Sequence, residues 1–198
     1  MPLPPEQIVA LMIAVSFAAG LNVYATVATL GLLGHYHAIT LPPTLHLLTG
    51  WPIIAASVVL YGIEFFADKI PAFDLVWNAL HTFIRVPVAA LLAFQATAAL
   101  TPGEQLAATL AGGLIAFVAH GGKTAVRAAV TPSPEPISNI TLSMGEDVLA
   151  VFLTWMATWK PYIAAAIAGI LVVIALLLIR LVLRSIKRLF HRRAHATG

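Results

Sequence analysis

Residues 8–34 contain no charged side chain and are almost all apolar. A helix of about 20 such residues crosses a bilayer core of about 30 Å, so this run is long enough to span a membrane. The segment before it, MPLPPEQ, contains no Lys or Arg, and the apolar run continues beyond the small residues at 18–20. Both features favour a retained membrane helix over a cleaved secretory signal peptide.

Further apolar runs follow, and the composition places the whole chain in a bilayer. Hydrophobic residues make up 60%, charged residues 10%, and the mean hydropathy is +0.94, far from the balance of soluble proteins. We predict an all-α integral membrane protein with about six transmembrane helices. They are expected near residues 8–34, 50–66, 75–96, 105–122, 138–159 and 162–179. Residues 1–185 would form one polytopic membrane domain, and residues 186–198 a basic cytoplasmic tail.

The basic residues are concentrated after the last apolar run. Six of the eleven Lys and Arg residues lie there: Arg180, Arg184, Lys187, Arg188, Arg192 and Arg193. A basic cluster next to a membrane helix indicates a cytoplasmic orientation and contact with anionic lipid headgroups, rather than nucleic-acid binding. With six spans, both termini would then lie in the cytoplasm. The absence of Cys excludes disulfides and thiolate metal sites.

Polar residues interrupt the apolar pattern most strongly in residues 61–87, YGIEFFADKIPAFDLVWNALHTFIRVP, and we expect the protein to be built around this stretch. A helix is predicted to begin just after Pro71. Its polar residues share one face at helical spacing, and they are Asp74, Asn78, His81 and Arg85. On the preceding helix Glu64 and Asp68 also share a face, and Lys69 follows. The two helices would form a hairpin with a polar inner seam.

A second charged hairpin is predicted from helices four and five. One face near the end of helix four carries His120, Lys123 and Arg127. The apolar stretch from Asp147 to Trp159 is too short to cross a bilayer, so helix five must begin near Ser138 and carry Glu146 and Asp147 to mid-depth. The segments EFFADK and AFVAHGGK are faintly alike, so the hairpins are candidates for an internal repeat. Residues 128–142 are a candidate re-entrant loop.

Charges at these depths need a partner or water. An isolated charge at the bilayer centre costs about 2.5 to 3.5 kcal/mol, so we expect Arg85 to pair with Glu146 or Asp147, or to face a hydrated cavity. The structural alternative is a buried ion pair that locks helices together. Because the candidates are too numerous for one lock, we predict a polar cavity that opens to the cytoplasm. Its candidate solute-binding residues are Asn22, Glu64, Asp68, Lys69, Asp74, Asn78, His81, Arg85, His120, Lys123, Arg127, Glu146 and Asp147.

Three segments resemble a known family. GLNVYATVATLGLLG, EFFADKIPAFDLVWNALHTFIRVP and SNITLSMGEDVLAVFLTW are similar to a bacterial family of polytopic membrane proteins, domain of unknown function 4126. The resemblance covers about residues 8–180 and implies an integral protein of the bacterial cytoplasmic membrane, without implying an activity. EFFADKI is also similar to the E-x-G-D-K-T signature of cation exchangers, whose acidic side chains bind the ion. Here an extra residue separates Glu64 from Asp68, and Ala67 replaces the Gly.

Three functional hypotheses follow. The favoured one is a transporter or channel for an ion or small charged solute, with His81 or a carboxylate as carrier of a coupling proton. The acidic candidates suit a cation and the basic ones an anion, so the sign of the solute stays open. One alternative is a scaffold whose charges are ion-pair staples, and the other is an enzyme acting on lipid with His81 or His120 as general base. No cofactor is predicted, and a metal site and a homo-oligomer stay open.

Overall fold

The computed structural model describes residues 4–68, 71–130 and 136–196, without the side chains at 71–76, 128–130, 136–139, 186 and 189–196. The described residues form seven α-helices and one 3-10 helix and contain no strand. The α-helices are α1 (Pro5–Leu21), α2 (Val23–His35), α3 (Trp51–Ala67), α4 (Pro71–Ala96), α5 (Pro102–Val130), α6 (Pro136–Trp159) and α7 (Pro161–Ala196). The 3-10 helix (Pro43–Thr49) lies between α2 and α3. Five α-helices begin at a proline, where the missing N–H is not needed.

Four of the described helices are long and apolar enough to cross a membrane. Their apolar parts are Trp77–Ala96, Pro102–Arg127, Ile140–Trp159 and Pro161–Ser185. The 3-10 helix and α3 meet at 64° and together add a fifth candidate crossing. The prediction of an all-α integral membrane protein is therefore confirmed. α1 and α2 are apolar but shorter, and they depart from the single helix predicted over residues 8–34.

The break between α1 and α2 is at Asn22. This residue has an extended backbone, with φ −150° and ψ 103°, and its side-chain oxygen accepts a hydrogen bond of 2.9 Å from the amide of Ala25. A short polar side chain in this position caps the first turn of the following helix. Asn22 therefore ends one helix and starts another inside an otherwise apolar run, which corrects the prediction of one continuous helix.

The two short helices form a hairpin, the α1–α2 hairpin, whose tip is Asn22. Its two outer ends lie close together, because Ile8 near the start of α1 and Leu41 beyond the end of α2 line the same recess. At the end of α2, His35 Nδ1 donates to the carbonyl of Thr49 at 2.9 Å. The hairpin therefore enters and leaves the bundle at one end, and its tip lies inside.

The hairpin also bears on where the described ends of α1 and α7 lie in the bundle. Gln7 near the start of α1 and Pro161 at the start of α7 line one recess, so these two helices begin at the same end of the bundle. α7 then runs as a single helix to Ala196 at the opposite end. The start of α1 and the basic end of α7 therefore lie at opposite ends of the bundle.

The packing centre is α1 rather than the polar stretch at 61–87. Twelve of its 17 residues are buried, and it contacts α4, α5, α6 and α7. The approach to α5 is close, since a Cβ added at Gly20 would lie 2.5 Å from the carbonyl oxygen of Ala116. A Cβ added at Gly112 of α5 would lie 2.6 Å from the Cβ of Ala93. Small residues permit such contacts between membrane helices.

The helices of the predicted charged hairpins have their main contacts elsewhere. α3 packs mainly on α2 and meets α4 at only a few residues, whereas α4 packs mainly on α5 and α1. α5 and α6 also touch little, since α6 packs on α1, α2 and α7. The outer face of α3 exposes Val59, Ile63 and Phe66, as expected for a surface in contact with lipid. The charged residues thus meet around the tip of the α1–α2 hairpin.

Candidate functional site

Most of the predicted site residues converge beside the hairpin tip, and we call this set the polar cluster. It consists of Asn22 together with side chains from four helices: Glu64 and Asp68 at the end of α3; Asn78, His81 and Arg85 of α4; His120, Lys123 and Arg127 of α5; Glu146 and Asp147 of α6. Glu64 and Arg85 have no exposed surface. Lys69 lies outside the described residues, and the side chain of Asp74 is not described.

The first part of the polar cluster joins α3, α4 and α5 through Arg85. Its guanidinium forms an ion pair with Glu64 and donates a hydrogen bond of 2.8 Å to Nδ1 of His120. Because a guanidinium only donates, Nδ1 of His120 carries no proton. The other ring nitrogen, Nε2, then donates to the backbone carbonyl of Asn78 at 3.1 Å. These partners assign His120 as a neutral imidazole.

The second part of the polar cluster joins α3, α5 and α6. Oδ2 of Asp68 lies 2.9 Å from Lys123 Nζ and 3.0 Å from Arg127 Nη2. Oε2 of Glu146 lies 3.2 Å and 2.8 Å from the same two nitrogens. Lys123 also reaches the carbonyl of Leu21 at the end of α1, at 3.4 Å. Two carboxylates and two cations therefore form a closed ring of ion pairs.

Similar depth predicts that Arg85 pairs with Glu146 or Asp147. The structure instead pairs Arg85 with Glu64. The reason is helix adjacency, since α4 packs on α1 and α5 while α6 packs on α1, α2 and α7. α1 and α5 therefore separate Arg85 from α6. The polar cluster is also closed rather than open to solvent, because Asp68 is 1% and Lys123 3% exposed. Opposite charges in contact account for this dehydrated arrangement.

Asp147 differs from the other carboxylates of the polar cluster. It is 4% exposed, and Oδ1 accepts a hydrogen bond of 2.8 Å from the side-chain amide of Asn22. Among the described residues, Oδ2 has no hydrogen-bond partner and no cation forms an ion pair with Asp147. The described polar cluster holds four carboxylates and three basic side chains, with His120 neutral. Among the described side chains of the polar cluster, formal negative charges therefore exceed positive ones by one, and Asp147 is the carboxylate without a described basic partner.

A cavity of about 380 Å³ lies next to Asp147, and we call it the α3–α6 groove. It is lined by Tyr61 of α3 and by Asp147, Val148, Val151, Phe152 and Trp155 of α6. It lies near the middle of α6, where the sequence predicted Glu146 and Asp147 to be. The side chain that lacks a cation is therefore the one that borders an open space.

Two residues near the polar cluster were not predicted as site residues. The hydroxyl of Tyr24 lies 3.1 Å from Nε2 of His81, whose Nδ1 donates to the carbonyl of Trp77 at 2.8 Å. Ser143 has no exposed surface and lies one helical turn before Asp147. The spacing of four from Asp147 was the available signal for Ser143. For Tyr24 the available signal was its nearness in sequence to Asn22, two residues before it.

Metal binding by several ligands finds no support in the part of the chain that is described. No group of three or more His, Cys, Asp or Glu residues is arranged there to hold a metal ion. Both ring nitrogens of His81 and of His120 are engaged in hydrogen bonds. Each of these ring nitrogens therefore already has a hydrogen-bond partner within the protein.

The model of one protein family, described as a domain of unknown function (DUF4126), matches residues 9–181. The chain belongs to this family. No curated protein and no solved structure matches it significantly. The match begins within α1 and ends within α7, so in this DUF4126 protein it includes the α1–α2 hairpin and every described residue of the polar cluster. The resemblance stated from three short segments is thus confirmed.

Proposed function

We propose that this DUF4126 protein is a membrane transporter or channel for a cation or a small positively charged solute, and that Asp147 binds it. The observation that carries the proposal is the isolation of Asp147, which is buried and has no basic partner among the described residues. A buried carboxylate without a cation is costly when ionised. Binding a proton or another cation would remove this cost.

The position of Asp147 beside the helix break at Asn22 supports the proposal. Transporters place their binding sites near the middle of the membrane, where interrupted helices offer backbone groups that form no bond within the helix. Here the end of α1 presents the carbonyl of Leu21 and the side chain of Asn22 contacts Asp147. The α1–α2 hairpin is therefore the element that we propose to move between transport states.

The ring of ion pairs suits a gate in the same scheme. It joins Asp68, Lys123, Arg127 and Glu146, on the side of the hairpin tip toward the end of α5. α5 and α7 begin at the same end of the bundle, so their last residues both lie toward the opposite end. The ring of ion pairs is therefore on the side of the bundle that carries the basic tail. We propose that this side is cytoplasmic, by the excess of Lys and Arg, and that opening the ring admits the solute. The tail would contact anionic lipid headgroups.

The proposal is tested by cation flux into proteoliposomes that contain the purified protein. Protein-dependent uptake of protons, Na⁺, K⁺ or a small organic ammonium is expected, and Asp147→Asn should abolish it. Glu104→Gln is the matched control, because it also removes one carboxylate but at an exposed position beside Thr101. Flux that is equal in wild type and Asp147→Asn would refute the role of Asp147.

A structural scaffold is the second candidate, and the pairing of the other charges favours it. Glu64 pairs with Arg85, and Asp68 and Glu146 pair with Lys123 and Arg127. Under this hypothesis Asp147→Asn would be folded and fully functional in cells, and the protein would pass no cation in proteoliposomes. The lipid-enzyme hypothesis assigns the general base to His81 or His120, whose ring nitrogens have hydrogen-bond partners within the protein.

A further inference from the structure

The walls of the α3–α6 groove are apolar and aromatic. Val148 and Val151 are aliphatic, and rings are supplied by Tyr61, Phe152 and Trp155. Among the described residues that line the groove, Asp147 is the only charged one. A carboxylate surrounded by hydrocarbon and aromatic faces provides a single charge-assisted contact and little else for a strongly hydrated ion.

The groove has exposed residues on the part of α6 that is long and apolar enough to cross a membrane. Both of its walls pack on α2, and α6 also packs on α1 and α7 and α3 on the 3-10 helix. Val148 is 67% exposed and Trp155 42% exposed. These residues lie in the membrane-spanning part of α6, Ile140–Trp159. A molecule dissolved in the hydrocarbon layer therefore meets the groove directly.

The charge and the lining together select the class of ligand. The formal charge of the described polar cluster is negative by one, and the unpartnered Oδ2 belongs to Asp147. Aromatic faces attract organic cations, and quaternary ammonium groups in particular. A volume of about 380 Å³ lies within the usual range for small-molecule sites, about 300 to 1,000 Å³. Divalent metal ions that need several carboxylate or imidazole ligands fit less well, because the described residues contain no group of three or more His, Cys, Asp or Glu placed to hold one.

We propose that the α3–α6 groove binds a lipophilic monovalent cation, an organic ammonium with an apolar body, that reaches Asp147 from the bilayer. The ammonium group lies against the carboxylate of Asp147, and the apolar body lies against Phe152 and Trp155. This inference rests on the proposed function, since it names the class of cation that Asp147 would take. Its lateral entrance is additional to the gate at the end of the bundle with the basic tail.

The test measures equilibrium binding of labelled benzyltrimethylammonium to the protein in nanodiscs. Its uncharged isostere neopentylbenzene and NaCl serve as competitors. We expect saturable binding that neither competitor displaces. Asp147→Asn should weaken it at least about tenfold, and Trp155→Leu about threefold. Trp159→Leu is the matched control, because Trp159 is an exposed ring one turn further on that does not line the groove.

Three results would overturn the proposal: no saturable binding, equal affinity in wild type and Asp147→Asn, or displacement by NaCl at equal concentration. Trp155→Leu keeps the inference testable if Asp147→Asn does not fold, because Trp155 is partly exposed and its replacement leaves the polar cluster unchanged. Cation flux distinguishes failure of this inference from failure of the proposed transport function. Flux that depends on Asp147 without binding of the probe would reject the ligand class and keep the transporter, whereas loss of both would reject both.

Discussion

The side-chain amide of Asn22 donates a hydrogen bond of 2.8 Å to Asp147, across 125 residues of sequence. The same Asn22 side chain accepts from the amide of Ala25 and caps α2. One residue thus breaks the first apolar run and holds the carboxylate that lacks a cation among the described residues. Local helix chemistry and the candidate site are therefore joined at a single position.

Replacement of Asn22 should lower stability through both contacts. Asn22→Ala removes the helix cap, worth about 0.5 to 2 kcal/mol, and leaves Asp147 without its hydrogen bond, a further loss of about 1 to 3 kcal/mol. Asn22→Ser keeps a capping hydroxyl and should be intermediate. Thermal unfolding in detergent measures the order, and equal midpoints for the three proteins would contradict it.

The ion pair between Glu64 and Arg85 is expected to show strong coupling. Glu64→Gln leaves the fully buried guanidinium of Arg85 without its carboxylate partner, at a cost of about 3 to 5 kcal/mol. Arg85→Gln should cost less, because Glu64 keeps a longer contact of 3.9 Å with Lys123. The double variant removes both charges and should cost less than the two single changes added together. Unfolding of the four proteins gives this cycle. Strictly additive losses would mean that the two side chains are not paired in the membrane.

Gly20 should tolerate no side chain, because α1 touches α5 there. A Cβ at this position meets the backbone oxygen of Ala116 at 2.5 Å and the Cβ of Ala119 at 2.7 Å. Gly20→Ala is expected to destabilise the protein by about 1 to 3 kcal/mol. The matched control is Gly169→Ala in α7, where no neighbouring atom lies within 4 Å of the added Cβ. Here the higher helix propensity of Ala should raise the free energy of unfolding by about 0.5 to 1 kcal/mol. Equal shifts in unfolding temperature would speak against the close packing of α1 on α5.

Labelling of single cysteines tests the arrangement of the helix ends. The natural sequence contains no Cys, so Gln7→Cys, Lys160→Cys and Arg188→Cys each introduce one reactive thiol. Residues 7 and 160 line one recess, whereas position 188 lies beyond the apolar part of α7. A membrane-impermeant maleimide should reach the first two from one side and the third from the other. Labelling of residues 7 and 188 from one side and of residue 160 from the other would restore the prediction of six full crossings.

Helical spacing was enough to predict which residues gather in the polar cluster. Lys123 and Arg127 share a face of α5 at a spacing of four, and Glu146 lies near the middle of α6, as the length of the apolar run required. The polar face of each helix is a local property, so it can be read from the order of residues. In a membrane these faces have to meet inside the bundle.

The partners within the polar cluster could not be predicted in the same way. Depth alone matched Arg85 with Asp147, but the pairing depends on which helices are neighbours, and α1 and α5 lie between them. The break at Asn22 was also not predicted. An Asn in an apolar helix usually bonds to another helix without interrupting its own, but here its oxygen caps α2 while its amide nitrogen bonds to the distant carboxylate of Asp147.

The place of the α1–α2 hairpin has a consequence for biosynthesis. α1 leaves the ribosome before α4 to α7, which supply most of its contacts. Asn22 meets its partner on α6 only after more than a hundred further residues have been translated. We therefore expect the nascent hairpin to stay partly inserted until α4 to α7 have been synthesised. Its docking would then be a late step of assembly. Truncation before α6 should leave it to the quality-control proteases of the membrane.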